Sequence, residues 1–209
     1  MAQGCAVNEP KDGKVKITPP SWLFVKYRPS MDINENPNNK PLVGVSQCLL
    51  GDAVRYDGQS KANSIVIKKL GKLFNLVPVC PEVEAGLSVP RPPVQLSGSI
   101  KNPKLIGRDD PTIDATNIMQ KYCLIKVSGL KKLSGFIFKS RSPSCGLNST
   151  PVYIDGQCVS KTARGIFAKH LCEAYPGLPI IEDSELENKK LLDGFIQLVL
   201  FKSDNYTLK

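Results

Sequence analysis

The chain is poor in histidine and tryptophan: its 209 residues include one of each, His170 and Trp22. His170 falls within a predicted helix, well after the polar loops, so Ser-His-Asp and Cys-His catalysis are poor readings. There is no GxGxxG fingerprint and no GxxxxGK[ST] loop, and nucleotide cofactors therefore find no support. No apolar run approaches the roughly 18 to 20 residues that cross a bilayer, and no apolar stretch follows the amino terminus as in a secretory signal. The seven cysteines are odd in number and none forms a C-x-x-C pair, which argues against a secreted disulfide framework. A cytoplasmic protein with no membrane partner is the expectation.

What is present suffices for one core. At 209 residues and 41% hydrophobic content, the chain can bury a substantial interior without staples. The net charge of +9 is unevenly spread: residues 1–40 carry six basic and four acidic side chains, and residues 182–209 four basic and six acidic. The excess lies in the middle, where Lys121 to Cys145 holds Lys121, Lys126, Lys131, Lys132, Lys139 and Arg141 with no acidic residue. A solvated helix face and loop explains this stretch; a surface that attracts phosphate or RNA is the sharper alternative, although no aromatic interleaving supports it.

Residues 1–40, rich in Pro, Asn and Lys, read as an amino-terminal extension, partly ordered through the apolar segment Ser21-Trp22-Leu23-Phe24-Val25. Residues 41–209 read as the folded domain. Leu42 to Ser46 is a buried strand, Ser64 to Leu73 a helix opened by a Ser cap, and Leu76 to Val79 a second strand. A Pro- and Gly-rich loop covers about 81–111. A helix from near Thr112 or Asp114 runs through Ile118, Cys123 and Ile125, and Gly135 to Lys139 is a third strand. Val152 to Ser160 is a hairpin around Asp155-Gly156. Arg164 to Tyr175 is helical, Leu178 to Ile181 a short strand, and Ser184 to Phe201 a closing helix capped by Ser184 with Glu187. This order predicts an α/β fold: a single three-layer domain with a mostly parallel sheet and helices on both faces.

Right-handed crossovers place the carboxyl ends of parallel strands on one edge, where ligands bind. Cys48 follows the first strand, Cys80 ends the second and Cys145 lies just past the third, so three thiols are expected at one edge. Three thiolates suit a soft metal, either zinc or an iron–sulfur cluster, and three ligands leave a coordination position open, as reactive sites do. Each cysteine alone is more often a small core residue; the pattern of three carries the reading. Cys123 and Cys172 read as core, Cys5 lies in the extension, and Cys158 in the hairpin is the rival for a fourth ligand.

The same loops carry polar groups. Arg55, Tyr56, Asp57 and Lys61 follow Cys48 and could together hold a planar polar ligand, or form a solvated turn. Glu82, two residues after Cys80, is placed for general acid or base work, or for capping a helix. Arg91, between two prolines, is suited to an anion or to a neighbouring carboxylate. Ser142 and Ser144 precede Cys145 and offer hydroxyls to a cluster or a substrate. Nothing in the sequence sets the oligomeric state.

Five blocks taken together resemble the thiouracil desulfurase family: Val43-Gly44-Val45-Ser46-Gln47-Cys48-Leu49-Leu50-Gly51, Val54-Arg55-Tyr56-Asp57-Gly58, Val77-Pro78-Val79-Cys80-Pro81-Glu82, Pro90-Arg91-Pro92-Pro93, and Lys139-Ser140-Arg141-Ser142-Pro143-Ser144-Cys145-Gly146. The resemblance spans about residues 41–181. It implies a [4Fe-4S] cluster held by Cys48, Cys80 and Cys145 with one iron not bound by protein, and a non-redox exchange of thiocarbonyl sulfur for water oxygen that releases hydrosulfide. It further implies proton transfer by Glu82 and substrate orientation by Ser142 or Ser144. The substrate it favours is a small thiolated pyrimidine such as 2-thiouracil, with thiolated RNA as the lesser candidate. A zinc hydrolase at the same three cysteines, with Glu82 activating water, is the enzymatic alternative; a non-catalytic RNA-binding or metal-sensing module is the other.

Overall fold

The computed structural model describes residues 40–207. The extension, with its Trp22 segment and Cys5, lies almost wholly outside the described residues. From Leu42 the chain forms β1 (Leu42–Ser46), a π-helical stretch (Ile65–Leu70) that continues into α1 (Gly71–Leu73), and β2 (Asn75–Val79). Next come α2 (Pro81–Glu84), β3 (Val94–Ser97), β4 (Lys104–Gly107), α3 (Thr116–Ser128) and β5 (Gly135–Phe138). The remainder is β6 (Thr150–Ile154), β7 (Gln157–Ala163), α4 (Ile166–Ala174), β8 (Ile180–Glu182) and α5 (Lys189–Thr207).

Four of these strands make one sheet in the order β2-β1-β5-β8, with every pairing parallel. Alternation along the strands sends side chains to two faces. Val43, Val45, Ile137 and Ile181 meet Val66, Leu70 and Phe74 together with Leu192, Phe195, Ile196 and Val199 of α5. On the other face Phe136, Phe138 and Val79 meet Met119, Cys123 and Val127 of α3 and Phe167 and Leu171 of α4. The result is the three-layer α/β arrangement. Phe136, Phe138 and Phe167 are fully buried, with ring centroids 4.3 to 6.4 Å apart; each ring contributes about 1.5–3 kcal/mol of transfer free energy.

A second sheet, of order β4-β3-β6-β7, was not expected. The hairpin of β6 and β7 turns at Asp155 and Gly156 as the sequence indicates. Its partners β3 and β4, however, lie inside the stretch read as loop. Four-residue strands between Pro and Gly are too short to display alternation, and β3 is completed by pairing with β6 more than fifty residues away, Leu96 opposite Val152.

Helix starts also differ. Ser64 makes no capping bond; Asn63 Oδ1 instead accepts the N–H groups of Ile65 and Val66 at 3.0 and 3.2 Å. The closing helix begins at Lys189 rather than Ser184, capped by Asn188 Oδ1 at 3.1 and 3.3 Å. On α3 the buried stripe is Met119, Cys123 and Val127, while Ile118 and Ile125 are 43% and 77% exposed. Among the described residues no helix is long and apolar enough to cross a membrane.

Candidate functional site

In the parallel sheet the chain goes from β1 outward to β2, then back past β1 to β5. The neighbouring ends of β1 and β5 thus form the switch point at which open α/β sheets bind ligands. Cys48 sits in the one-turn helix Gln47–Leu50 immediately after β1, and Gly51, with φ 105°, ends that turn in the left-handed region that favours glycine. Cys80 leaves β2 and precedes Pro81, the first residue of α2. Cys145 follows β5 by seven residues, in the loop between β5 and β6.

All three cysteines line one cavity of about 340 Å³, together with Glu82, Ser142, Arg55, Tyr56, Lys61 and Arg91. Sequence reasoning missed several of its other walls: Ser46, Gln47, Arg108, Lys139, Ser140 and Arg141. Arg108 was hidden in the stretch taken for loop, and Lys139 and Arg141, though within the basic run and the block that carries the resemblance, were given no place in the site. Asp57 is not part of the lining; its carboxylate pairs with Arg55 at 3.2 Å, and the Arg55 guanidinium lies 5.6 Å from the centre of the Tyr56 ring. Cys158 is exposed on β7 and its thiol is bonded to the Ser160 carbonyl, away from the cavity. Cys123 and Cys172 are buried in the core, as read.

Burial governs the thiols. It pushes Cys48 up to about 11, with Cys80 adding to the effect and Lys139 opposing it. It raises Cys80 as well, against hydrogen bonds from the backbone of α2. Cys145 is raised well above the usual thiol range by burial, while a hydrogen bond with Ser46 pulls the other way. Such thiols stay protonated at neutral pH and become ligands when a cation compensates the lost protons. Among the described residues no group of three His, Cys, Asp or Glu side chains is placed to hold a metal ion. The sulfur donors that line the cavity suit a soft metal or an iron–sulfur cluster.

Glu82 is held at both oxygens. Arg91 donates to Oε2 from Nη2 at 2.6 Å and from Nε at 3.1 Å, and the Ser144 hydroxyl donates to Oε1 at 2.9 Å. Arg91 also donates to the Val54 carbonyl from both terminal nitrogens and to the Ser88 carbonyl from Nη1. A guanidinium has five donors, and these contacts occupy all of them. Arg91 therefore ties the loop after Cys48 to α2 and keeps nothing back for a bound molecule. Ser144, fully buried, stands behind Glu82, whereas Ser142 lines the cavity and its oxygen accepts the N–H groups of Ser144 and Cys145. The two serines thus occupy different places: one supports the carboxylate, the other faces the cavity.

The loop from Ser140 to Ser149 is secured from α4. The first N–H groups of that helix, which have no partners within it, donate to loop carbonyls: Ile166 to Pro143 at 3.0 Å and Ala168 to Ser144 at 3.2 Å, with Gly165 bonded to Gly146 at 2.7 Å. A β-carbon at Gly165 would stand 2.5 Å from the Ser144 carbonyl carbon, so only glycine permits this approach. Arg141 adopts φ 60° in the same loop, a strained conformation for a side chain of its size.

Comparison with known proteins agrees with this geometry. The 2-thiouracil desulfurase family model matches residues 43–183. An uncharacterized protein of Bacillus subtilis (strain 168), YbbK, is 32% identical over 155 residues, covering 70% of this chain and 99% of its own length. The solved structure of the [4Fe-4S]-dependent thiouracil desulfidase TudS superposes with a TM-score of 0.58 at 27% identity, covering 74% of this chain and 99% of its own.

Proposed function

Since the chain belongs to the 2-thiouracil desulfurase family, we propose that it is an iron–sulfur-dependent desulfidase that replaces the C=S of a thiolated pyrimidine by C=O and releases hydrosulfide, without net redox change. The observation that carries this reading is the convergence of Cys48, Cys80, Cys145 and Glu82 on one cavity. The similar TudS is named as [4Fe-4S]-dependent, and the three thiols that line the cavity are soft donors of the kind such a cluster takes. Cys48, Cys80 and Cys145 would hold such a cluster. Bound by three thiolates, it would supply a Lewis-acidic iron able to polarise a thiocarbonyl.

The remaining work falls to side chains of the chain itself. The Tyr56 ring, backed by Arg55, offers a flat surface for a planar ring. Ser142 lines the cavity, and its hydroxyl, whose oxygen accepts the Ser144 and Cys145 N–H groups, keeps a proton to donate to a bound ring. Glu82 takes a proton from the water that attacks the sulfur-bearing carbon and returns it to the departing sulfur, while the added hydroxyl loses its own proton to solvent as the C=O forms; thiocarbonyl and water thereby become carbonyl, hydrosulfide and one proton, with no change of oxidation state. Arg91 and Ser144 keep its two oxygens in place for both transfers.

The test is anaerobic reconstitution with iron and sulfide, metal analysis, and assay of hydrosulfide from 2-thiouracil in ¹⁸O-labelled water. The expected outcome is iron and sulfide in cluster proportions, hydrosulfide release, and uracil that carries the label. Retention of zinc without iron, or no release by fully loaded protein, overturns the reading. With the cluster intact, Glu82→Gln should lower kcat by about 10²- to 10⁴-fold.

A further inference from the structure

A fourth strand end, which sequence reading left out of the site, reaches the cavity through the loop that carries Cys145. We propose that Glu182 and Asp183, at the carboxyl end of β8, are positioning residues that fix loop 140–149 and so set where Cys145 and Ser142 stand; their service to catalysis rests on the function proposed above.

The loop hangs from these two carboxylates by both ends. At its start, Asp183 Oδ1 accepts the Ser140 N–H at 2.7 Å, and Oδ2 accepts Lys139 Nζ at 2.9 Å. At its end, Glu182 Oε1 accepts the Leu147 N–H at 2.6 Å and the Ser149 hydroxyl at 2.7 Å. The Ser149 oxygen in turn accepts the N–H of Arg141 at 2.7 Å, which closes the two ends on each other. Between them the Ser142 carbonyl accepts Gly146 N–H and the Thr150 hydroxyl. Cys145 therefore stands inside a frame whose two supports are adjacent in sequence. The register of β5 on β8, Phe138 opposite Glu182, brings those supports beside the strand end where the loop begins.

Glu182 is unusual for such a place. It is 6% exposed, and none of the ion pairs among the described residues includes it. A buried carboxylate without a countercharge is costly unless N–H and O–H donors surround it. Two of the donors here come from the loop; the Glu182 side chain also accepts the backbone N–H of Glu185 in a capping box. The short turn needs only a cap, which Ser or Asn supplies. The additional bonds to Leu147 and Ser149 point to the loop as what the carboxylate serves. The strand itself is kept in the sheet by backbone pairing, so the side chain can be altered without unzipping β8.

The experiment uses the full chain, first without metal. Wild type, Glu182→Ala, Glu182→Gln and Ser149→Ala are compared for amide hydrogen exchange across 140–149 and for the iodoacetamide reactivity of each cysteine peptide by mass spectrometry; the reconstituted proteins are then assayed for kcat and KM. In Glu182→Ala, exchange at Leu147 and alkylation of Cys145 should each rise about tenfold or more, as for a lost buried hydrogen bond. Cys48 and Cys80 should keep their wild-type rates, and kcat should fall with little change in KM. Glu182→Gln, whose amide oxygen still accepts both loop donors, should restore protection. Ser149→Ala leaves the carboxylate in place and should release the Arg141 amide alone. Unchanged Cys145 reactivity in Glu182→Ala, no rescue by Gln, or equal exposure of all three cysteines overturns the proposal. The readouts without metal do not depend on desulfuration, so an enzyme that never releases hydrosulfide while Cys145 loosens as expected would refute only the proposed function.

Discussion

Arg91 and Glu82 form a pair with only 6% and 13% of their side chains exposed, and removing one member of such a pair leaves the other as an uncompensated charge. Arg91→Ala should therefore cost about 3–5 kcal/mol in unfolding free energy, measured by denaturant titration of the protein without metal. Arg91→Lys retains the charge but brings three donors where five are used, so it should give up the Val54 or Ser88 bonds and lower activity while recovering part of the stability. Arg141 presents the reverse case. Its φ of 60° is one that glycine adopts without strain, and Arg141→Gly should raise stability by about 1 kcal/mol. If the side chain contributes at the cavity wall, the same change lowers kcat/KM; a more stable and equally active variant would show that the strained turn serves only the path of the loop.

Among the elements, what could be read depended on whether the signal was local. The apolar runs of β1, β2 and β5 are visible in the sequence, and their parallel order followed from connection rules, so three cysteines at one edge could be inferred without a structure. The strands β3 and β4 could not, because their stability comes from β6. Caps were misplaced by one to four residues because Asn63 and Asn188 compete with the serines beside them, and either residue type caps well. Glu182 and Asp183 were read past for a related reason: an acidic pair ahead of a helix looks like ordinary capping. Applying the strand-end rule to β8 as well would have singled them out. Inside α3, Cys123 is fully buried and its thiol is pushed up to about 12 from 9.0 by burial alone. A group whose folded pKa is raised stabilises the fold below its unfolded pKa and loses that contribution as pH rises through the folded value. The unfolding free energy should therefore decline between about pH 9 and pH 12, and Cys123→Val should flatten that part of the profile, as followed by thermal melts.

For the whole molecule, the excess positive charge meets the cavity in Arg55, Lys61, Arg108 and Arg141. Charge around a cleft accelerates encounter with an anion and does nothing for a neutral molecule, and salt screens it over about 8–10 Å. Raising the salt concentration from low to physiological should leave kcat/KM for neutral 2-thiouracil flat. A thiolated RNA, if it were the substrate, would show a steep decline instead, and comparing the two salt profiles decides between them.

The spacing of the three proposed ligands along the chain also bears on how the proposed centre would come into being. Cys48, Cys80 and Cys145 are 32 and 65 residues apart and are brought together only when β1 has paired with both β2 and β5. No short peptide of this protein can hold all three, so metal cannot nucleate the chain as it does in a zinc finger. The sheet must form first, at the slower pace of parallel, non-local pairing, around a core that owes nothing to iron. Assembly of the proposed centre would thus be a late event on a finished scaffold, with a period in which the folded cavity stands ready before the cluster is delivered.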